Sequence, residues 1–277
     1  MNIRSFLEEI KSGGFVLPDG EYEAFLRANL GLIGHPDPFI RDDLAYEAYA
    51  AWIGQGRLGN DCLRWLLREL TGDRCLFSRI GSRSIRHVPR RTFSLLLVDC
   101  VLSFDARKPF LDAAAFQQVL DALEDYAERE ALVIGYHKRY GWCHAVAHLA
   151  DALGAAFRSP RAGDAERRRV LSVIARLVVG NAGVFQDQEE YRLVAAYMRP
   201  VDGGRAGSAE LPSWHARALD AAAQAAEAAE AGYHEKFVLR KNVLQYFQTL
   251  YFFARKAGDA GLEALCWSIL EARKAWK

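Results

Sequence analysis

The 277-residue sequence predicts an all-α protein, because helical periodicity with recognisable starts and stops recurs along the chain while strand patterns are almost absent. Gly, Pro and Asp residues mark short connections between the helical segments. Helix following helix with short connections is typical of an α-solenoid of stacked helical pairs or of a closed toroid. Strict repeats are missing, so we expect a degenerate HEAT-like α-solenoid or an α/α toroid of about a dozen helices.

The individual helices are predicted from apolar periodicity and from residues that favour helix ends. The clearest start is at residues 35–38, where Asp37 caps the helix and Pro38 occupies its first turn without losing a needed donor. That helix is expected to end near Gly54. The predicted helices are residues 3–11, 20–33, 37–54, 58–71, 91–104, 110–130, 141–157, 164–179 and 187–198, followed by three more that include residues 214–231 and 237–254.

A glycine-rich polar run at residues 200–208 interrupts this pattern. It begins with Pro200 and contains Gly203, Gly204 and Gly207, a composition that no helix tolerates. We therefore predict a loop that divides the chain into two parts. Residues 1–200 would form a helical-repeat domain, and residues 201–277 would form a C-terminal helical extension packed on it.

Charge and composition exclude several broad classes of function. Lys and Arg total 36 against 35 for Asp and Glu, so no global field favours nucleic acid or an anionic membrane. The five cysteines are scattered without a Cys-x-x-Cys pair, which is typical of small buried residues in a reducing compartment. Neither a secretory signal nor an apolar run of about 18 residues is present, so we expect a cytoplasmic protein without membrane contact.

Residues 141–151, with the sequence GWCHAVAHLAD, carry the main chemical signal. His144, His148 and Asp151 recur at positions i, i+4 and i+7, so on one helix their side chains would share a face. The apolar residues of the same predicted helix fall on the opposite side, about half a turn away. The sequence therefore predicts a polar concave groove that these three residues line.

Several roles fit this groove. Two neutral imidazoles and a carboxylate could bind a divalent metal such as zinc, manganese or iron and leave open positions for water. The same side chains could instead bind a ligand without metal, or hydrogen-bond to neighbours and orient helices without any chemistry. No catalytic residue can be assigned, because the His-Glu-x-x-His pattern of metalloproteases is absent. Trp142, Tyr140 and Glu189 are further residues expected around the groove.

A basic stretch at residues 79–91 contains five arginines, one histidine and no acid. Gly81 and Pro89 argue against one continuous helix, so we expect a loop that leads into the next helix. Arg86, Arg90 and Arg91 are candidates for binding an anion such as phosphate. Aromatic residues are missing within the stretch, so nucleic acid is not the expected partner. Surface arginines of this kind are more often solvated or paired with nearby acids.

Three short sequence motifs stand out along the chain. Residues 35–46 contain His-Pro-Asp-Pro followed by Arg-Asp-x-Leu-Ala-Tyr, residues 91–94 read Arg-Thr-Phe-Ser, and residues 141–151 read Gly-Trp-x-His-x-x-x-His-x-x-Asp. Together they resemble a bacterial family known as domain of unknown function 2785, with one departure, because the second motif is Arg-Ser-Phe-Ser in that family. The resemblance covers most of the first 200 residues and is slight beyond Gly203. It implies a helical-repeat fold and a site near the paired histidines, and it implies no reaction.

Helical stacking without a complete catalytic set favours a binding or scaffold protein. We expect it to hold a small polar ligand or a protein partner in the groove around His144, His148 and Asp151. The alternative is a metal-dependent hydrolase that uses the same three residues.

Overall fold

A computed structural model describes residues 2–200 and 206–273 of the chain. Within these residues it contains twelve α-helices, two short 3-10 segments, one π-helix and one two-stranded hairpin. The prediction of an all-α protein with about a dozen helices is confirmed. The solenoid or toroid arrangement stays a prediction. No helix in these two stretches of chain is both long enough and apolar enough to cross a membrane.

The helices begin and end close to the predicted positions, with one exception at the histidine motif. Their bounds are α1 (Ile3–Ser12), α2 (Glu21–Asn29), α3 (Glu47–Gly54), α4 (Asn60–Leu70), α5 (Val88–Arg107), α6 (Ala113–Arg129), α7 (Ala145–Arg158), α8 (Asp164–Gly180), α9 (Glu189–Met198), α10 (Leu211–Ala228), α11 (Tyr233–Lys256) and α12 (Ala260–Arg273). The 3-10 segments are Leu30–Gly34 and Ile85–His87, the π-helix is Phe39–Tyr46, and the strands are β1 (Tyr136–His137) and β2 (Gly141–Trp142).

Residues 1–152 form one compact unit. Its central helix is α5, which contacts α3, α4 and the 3-10 segment Leu30–Gly34. α5 is buried on nearly every side between Val88 and Val98, and a helix in that position needs apolar residues on all faces. Trp52 of α3 is fully buried and meets Tyr22 edge to face, with ring centroids 5.5 Å apart. Trp52 thereby joins α3 to α2 in the core of this unit.

Residues 153–277 form a second compact unit. α11 packs against α8, α9 and α12, and α10 packs against α8 and α12. In its core the hydroxyl of Tyr246 lies 2.8 Å from His215 Nε2 and 2.9 Å from the hydroxyl of Tyr197. Burial lowers the pKa of His215 to about 3, so the imidazole is neutral inside this hydrogen-bonded cluster.

The predicted division of the chain into domains 1–200 and 201–277 stays a prediction. The units divide between Ala152 and Leu153, within α7, whereas the sequence predicts a boundary at residues 200–208. Helices α9 and α10, which flank that run, belong to the same unit. The predicted loop falls largely on residues 201–205, which lie outside the described residues. The packing of residues 201–277 on a preceding domain stays a prediction.

The segment after His35 winds as a π-helix over Phe39–Tyr46 and continues directly into α3. Asp37 caps it as predicted: its Oδ1 accepts the Phe39 N–H at 3.0 Å, and its main-chain oxygen accepts the Arg41 N–H at 3.2 Å. π-Helical turns are rare in proteins and are concentrated at functional sites. This one carries Arg41, whose side chain is fully buried.

Candidate ligand site at the histidine hairpin

A short antiparallel hairpin precedes the histidine helix. Tyr136 pairs with Trp142, and His137 pairs with Gly141. The Tyr140 N–H donates to the main-chain oxygen of His137 at 3.0 Å and closes the turn between the two strands. The sequence predicts helix from residue 141 onward, and this prediction was wrong for residues 141–144, where the chain is still in the hairpin and its exit.

Gly141 explains why the chain turns here rather than entering the helix. Its φ is 69°, a left-handed conformation that glycine adopts without steric cost. A Cβ at this position would lie 3.0 Å from the Cβ of Pro38, closer than ordinary van der Waals contact. The hairpin therefore lies directly against the start of the π-helix, and only glycine fits both the turn and this approach.

His144 occupies the position before α7 and has φ 46°, which is unusual for a residue with a side chain. The main-chain oxygen of Gly135 accepts the N–H of Cys143 at 2.7 Å and that of His144 at 2.9 Å. On the other side, the main-chain oxygen of His144 accepts the His148 N–H at 2.8 Å. Backbone hydrogen bonds on both sides thus hold His144 in a conformation that costs about 1–2 kcal/mol.

Four rings lie in sequence from the surface into the core. Trp142, which is 46% exposed, stacks on His144 with centroids 4.4 Å apart and planes 4° from parallel. His144 meets His148 at 5.3 Å, and His148 meets Phe93 edge to face at 5.3 Å. His148 is only 6% exposed, whereas His144 is half-buried. The arrangement leaves the indole of Trp142 and part of the His144 imidazole at the surface, with His148 and Phe93 packed behind them.

Arg41 anchors the hairpin from within the π-helix. Its Nη2 donates to the main-chain oxygen of Tyr140 at 2.7 Å and to that of Trp142 at 3.4 Å, and its Nη1 donates to that of His35 at 3.3 Å. The guanidinium also lies 4.7 Å from the ring centroid of Phe93, within the range of a cation–π interaction. One buried cation thus ties the π-helix, the hairpin and α5 to one another.

The charge of Arg41 is balanced by Asp42, with Nε 2.6 Å from Oδ1. Burial raises the pKa of Asp42 to about 6, and the favourable field of Arg41 only partly opposes this rise. The pair is therefore ionised above pH 6 and loses the negative charge of Asp42 below it.

Asp151, the third residue of the predicted triad, lies further along α7 and is half-buried. Its negative charge acts on Tyr46 and Cys100, where it adds to effects of burial that raise the pKa of both groups. For Cys100 the pKa reaches about 12, with burial as the largest cause, so this thiol stays protonated. The carboxylate of Asp151 therefore lies in the surroundings of the Tyr46 hydroxyl and the Cys100 thiol.

The burial of α7 differs from the two-faced helix that the sequence predicts. Along Ala145–Arg158 only Asp151 and Arg158 are half-buried, and every other residue is buried. His148 therefore lies among packed side chains instead of facing an open polar groove. The solvent-accessible part of the site consists of Trp142 and His144. The many alanines of α7 permit this close packing on all sides.

The predicted metal site brings together two of its three members. The imidazoles of His144 and His148 are neighbours, as their spacing indicates. Across residues 2–200 and 206–273, no group of three or more His, Cys, Asp or Glu side chains is placed so that it could hold a metal ion. Metal binding by His144, His148 and Asp151 stays a prediction.

Two further predicted groove residues have structural contacts. The ring of Tyr140 stacks on His137 with centroids 5.2 Å apart, and its main-chain oxygen is bound by Arg41. Glu189 belongs to the second compact unit, where its carboxylate accepts the N–H of Gln186 at 3.1 Å and that of Asp187 at 2.8 Å. Glu189 therefore stabilises the turn that begins α9.

Among the predicted anion-binding residues, Arg91 has a different role. It is fully buried, and Glu130 holds it through two hydrogen bonds, Nε to Oε2 at 2.5 Å and Nη2 to Oε1 at 2.8 Å. Its Nη1 donates to the main-chain oxygen of Ser78 at 3.1 Å. A buried, doubly paired guanidinium cannot receive an anion from solvent, so Arg91 is a structural residue that joins α5 to the end of α6.

Arg90 and Arg86 lie closer to the surface. The Nη2 of Arg90 donates to the main-chain oxygen of Gly31 at 3.1 Å, so part of its donor capacity is used within the fold. Arg86 is exposed, as are Arg79 and Arg83 in the same segment. Burial and the fields of the neighbouring arginines lower the pKa of His87, which indicates a positive potential around the 3-10 segment.

Reasoning from sequence missed Arg41, Phe93 and Tyr136 as parts of the site. Arg41 is followed by two acidic residues, Asp42 and Asp43, and no feature of the sequence distinguishes it from a solvated arginine on a helix. The contribution of Phe93 depends on packing between α5 and α7. Tyr136 becomes visible only when the hairpin places it opposite Trp142.

Residues 76–252 match a family described as "Protein of unknown function (DUF2785)". This range contains the motifs at residues 91–94 and 141–151, whereas the motif at residues 35–46 lies before it. The match also continues past Gly203, where the sequence showed little resemblance. No curated protein and no solved structure matches the chain. Because the match covers more than half of its length, the chain belongs to the DUF2785 family.

Proposed function

We propose that this protein is a binding protein that holds a small polar ligand at the surface formed by Trp142 and His144, with His148 beneath them. The observation that carries the proposal is His144, held at φ 46° with its ring parallel to an exposed indole. Non-glycine residues keep a costly left-handed backbone mainly where the surroundings impose it, and such positions cluster at ligand sites. A ligand that the imidazole must face would account for the energetic cost of this backbone conformation.

The chemistry of the surface indicates what kind of ligand fits. The indole face of Trp142 offers a flat apolar platform, and the adjoining imidazole of His144 offers a hydrogen-bond donor or acceptor. A molecule with one flat or apolar face and a polar edge would use both groups. Arg41 keeps the backbone of the platform rigid, which lowers the entropic cost of binding.

The experiment is ligand-observed saturation-transfer NMR with a set of uncharged polar fragments, including sugars, amides and nucleosides. We expect fragments that bind the wild-type protein and lose their signal with Trp142→Ala. The matched control is Trp267→Ala, because Trp267 has similar exposure, 49%, and lies on α12 in the second unit. Binding that survives Trp142→Ala, or the complete absence of binding fragments, would refute the proposal.

A metal-dependent hydrolase is the alternative, and the contact between the imidazoles of His144 and His148 favours it. In this function Asp151 or water would complete the ligand set of zinc, manganese or iron. Elemental analysis of protein purified without a histidine tag tests the alternative. Stoichiometric metal in the wild-type protein that is lost in His148→Gln would support this alternative. Folded wild-type protein that contains no metal would reject it.

A further inference from the structure

The basic segment at residues 79–91 lies beside the aromatic hairpin. Ile85 and Val88, from the end of this segment, pack in one small apolar cluster with Cys143 and Tyr140 of the hairpin region. The two segments are about fifty residues apart in sequence, so their contact is a property of the fold. The hairpin thereby places aromatic side chains beside the basic segment, which contains none of its own.

The hairpin contributes both rings and charge to this surface. Tyr136 is 51% exposed and Trp142 is 46% exposed, and their rings meet edge to face with centroids 5.0 Å apart. Lys138 and Arg139 occupy the turn between the strands and are exposed. The guanidinium of Arg139 lies 5.5 Å from the centroid of Tyr140. Exposed rings therefore stand next to exposed cations.

The neighbouring segment adds three exposed guanidiniums, those of Arg79, Arg83 and Arg86. Neither residues 79–91 nor residues 136–142 contain an acidic residue. The depressed pKa of His87 agrees with this concentration of positive charge, since burial lowers it first and Arg86 and Arg79 lower it further. We call this surface, made of residues 79–86 and 136–142, the aromatic-basic surface.

We propose that the aromatic-basic surface binds single-stranded nucleic acid. Aromatic faces stack on unpaired bases, and arginines beside them neutralise the phosphates that connect those bases. Bases in a duplex are already stacked and cannot use Tyr136 or Trp142, so a single strand is favoured. The neutral net charge of the whole chain is compatible with this, because the basic residues are concentrated locally. The proposal rests in part on the proposed function, since Trp142 belongs to both surfaces.

The test is fluorescence anisotropy with fluorescein-labelled single-stranded DNA and RNA of about a dozen nucleotides, within the usual site size of such surfaces. For the wild-type protein we expect binding that weakens steeply with salt, because each phosphate contact releases counterions. Arg86→Gln and Arg139→Gln should each weaken binding and flatten the salt dependence. Tyr136→Ala and Trp142→Ala should weaken binding roughly tenfold and leave the salt dependence unchanged, because stacking releases no counterions.

The matched control for charge is Arg57→Gln, because Arg57 is exposed and lies 5.6 Å from the ring centroid of Tyr22, a geometry close to that of Arg139 over Tyr140. This variant should bind like the wild type. Equal affinity for a duplex, insensitivity to Arg86→Gln and Arg139→Gln, or the absence of salt-sensitive binding would each overturn the proposal. Arg86 and Arg139 are not part of the uncharged-fragment site, so failure here with fragments still bound at Trp142 would leave the proposed function standing.

Discussion

The Nη2 of Arg41 donates to the main-chain oxygen of Tyr140 at 2.7 Å, across ninety-nine positions of sequence. This bond joins a π-helix near the start of the chain to the hairpin that carries Trp142. Both residues of the contact are held by further interactions, Arg41 by Asp42 and Tyr140 by the β-turn. A single buried guanidinium therefore helps to fix the position of the candidate ligand site.

Replacement of Arg41 by lysine should destabilise the first unit by about 2–3 kcal/mol, because an ammonium cannot reach three carbonyl oxygens in the planar geometry of a guanidinium. Urea unfolding followed by circular dichroism measures the loss. Arg129→Lys is the matched control: Arg129 also lies 4.7 Å from a ring centroid, that of Phe77, and also pairs with an acid, but on the surface. The control should change the free energy of unfolding by less than about 1 kcal/mol. Equal effects of the two substitutions would contradict the role of Arg41.

At position 144, glycine should be more stable than alanine by about 1 kcal/mol, because both variants lack the imidazole and only alanine pays for the left-handed backbone. The comparison is made by thermal or urea unfolding of His144→Gly and His144→Ala. His137 provides the control pair, since its φ is not positive and alanine is expected to be the more stable residue there. Alanine matching glycine at position 144 would show that the backbone is not strained.

Loss of the Glu130 carboxylate should be costly, because it leaves the buried guanidinium of Arg91 without its counter-charge. We expect Glu130→Gln to lower the free energy of unfolding by about 3–5 kcal/mol. Asp125→Asn breaks the exposed pair with Arg129, in which both side chains are nearly half-exposed, and should cost less than about 1 kcal/mol. Denaturant unfolding of both variants gives the comparison, and a small effect at Glu130 would show that Arg91 finds another partner or water.

His215 should make stability depend on pH. Its pKa falls from an ordinary 6.5 to about 3 in the folded protein, so below pH 6.5 the unfolded chain binds a proton that the folded chain does not. The stability that the neutral imidazole of His215 gives the folded protein is fully present above pH 6.5. It is lost as the pH falls toward 3, and the equilibrium constant for unfolding rises by about tenfold per pH unit.

His215→Gln removes this titration while keeping a polar group near Tyr246. Unfolding free energies measured between pH 7 and pH 4 should therefore converge for the two proteins as the pH falls. A constant difference across this range would mean that His215 is not buried in its neutral form.

Features with local causes could be predicted from the sequence. α8 was predicted at residues 164–179 and runs Asp164–Gly180, because its first turn contains Asp164 and Glu166 and the Glu166 carboxylate accepts the N–H of Gly163. Asp37 was identified as a cap for a similar reason, since its side chain acts within two residues. The closeness of His144 and His148 also follows from local spacing, even though His144 precedes the helix.

Features with distant causes could not be predicted. The hairpin forms because Gly135 and Gly141 supply a bridging carbonyl and a left-handed turn, and the apolar spacing after residue 141 resembles that of a helix. The burial of Arg91 depends on Glu130, thirty-nine residues away. The exposure of Trp142 results from the same hairpin, which pairs it with Tyr136.

The π-helix matters more for Arg41 than for α3. A π-turn holds about one residue more than an α-turn, so deletion of one residue within Phe39–Tyr46 could restore α-helical winding while α3 kept nearly the same orientation. Trp52 would then stay in the core beside Tyr22. The side chain of Arg41, which lies inside the π-helix, would change direction and lose its reach to the hairpin.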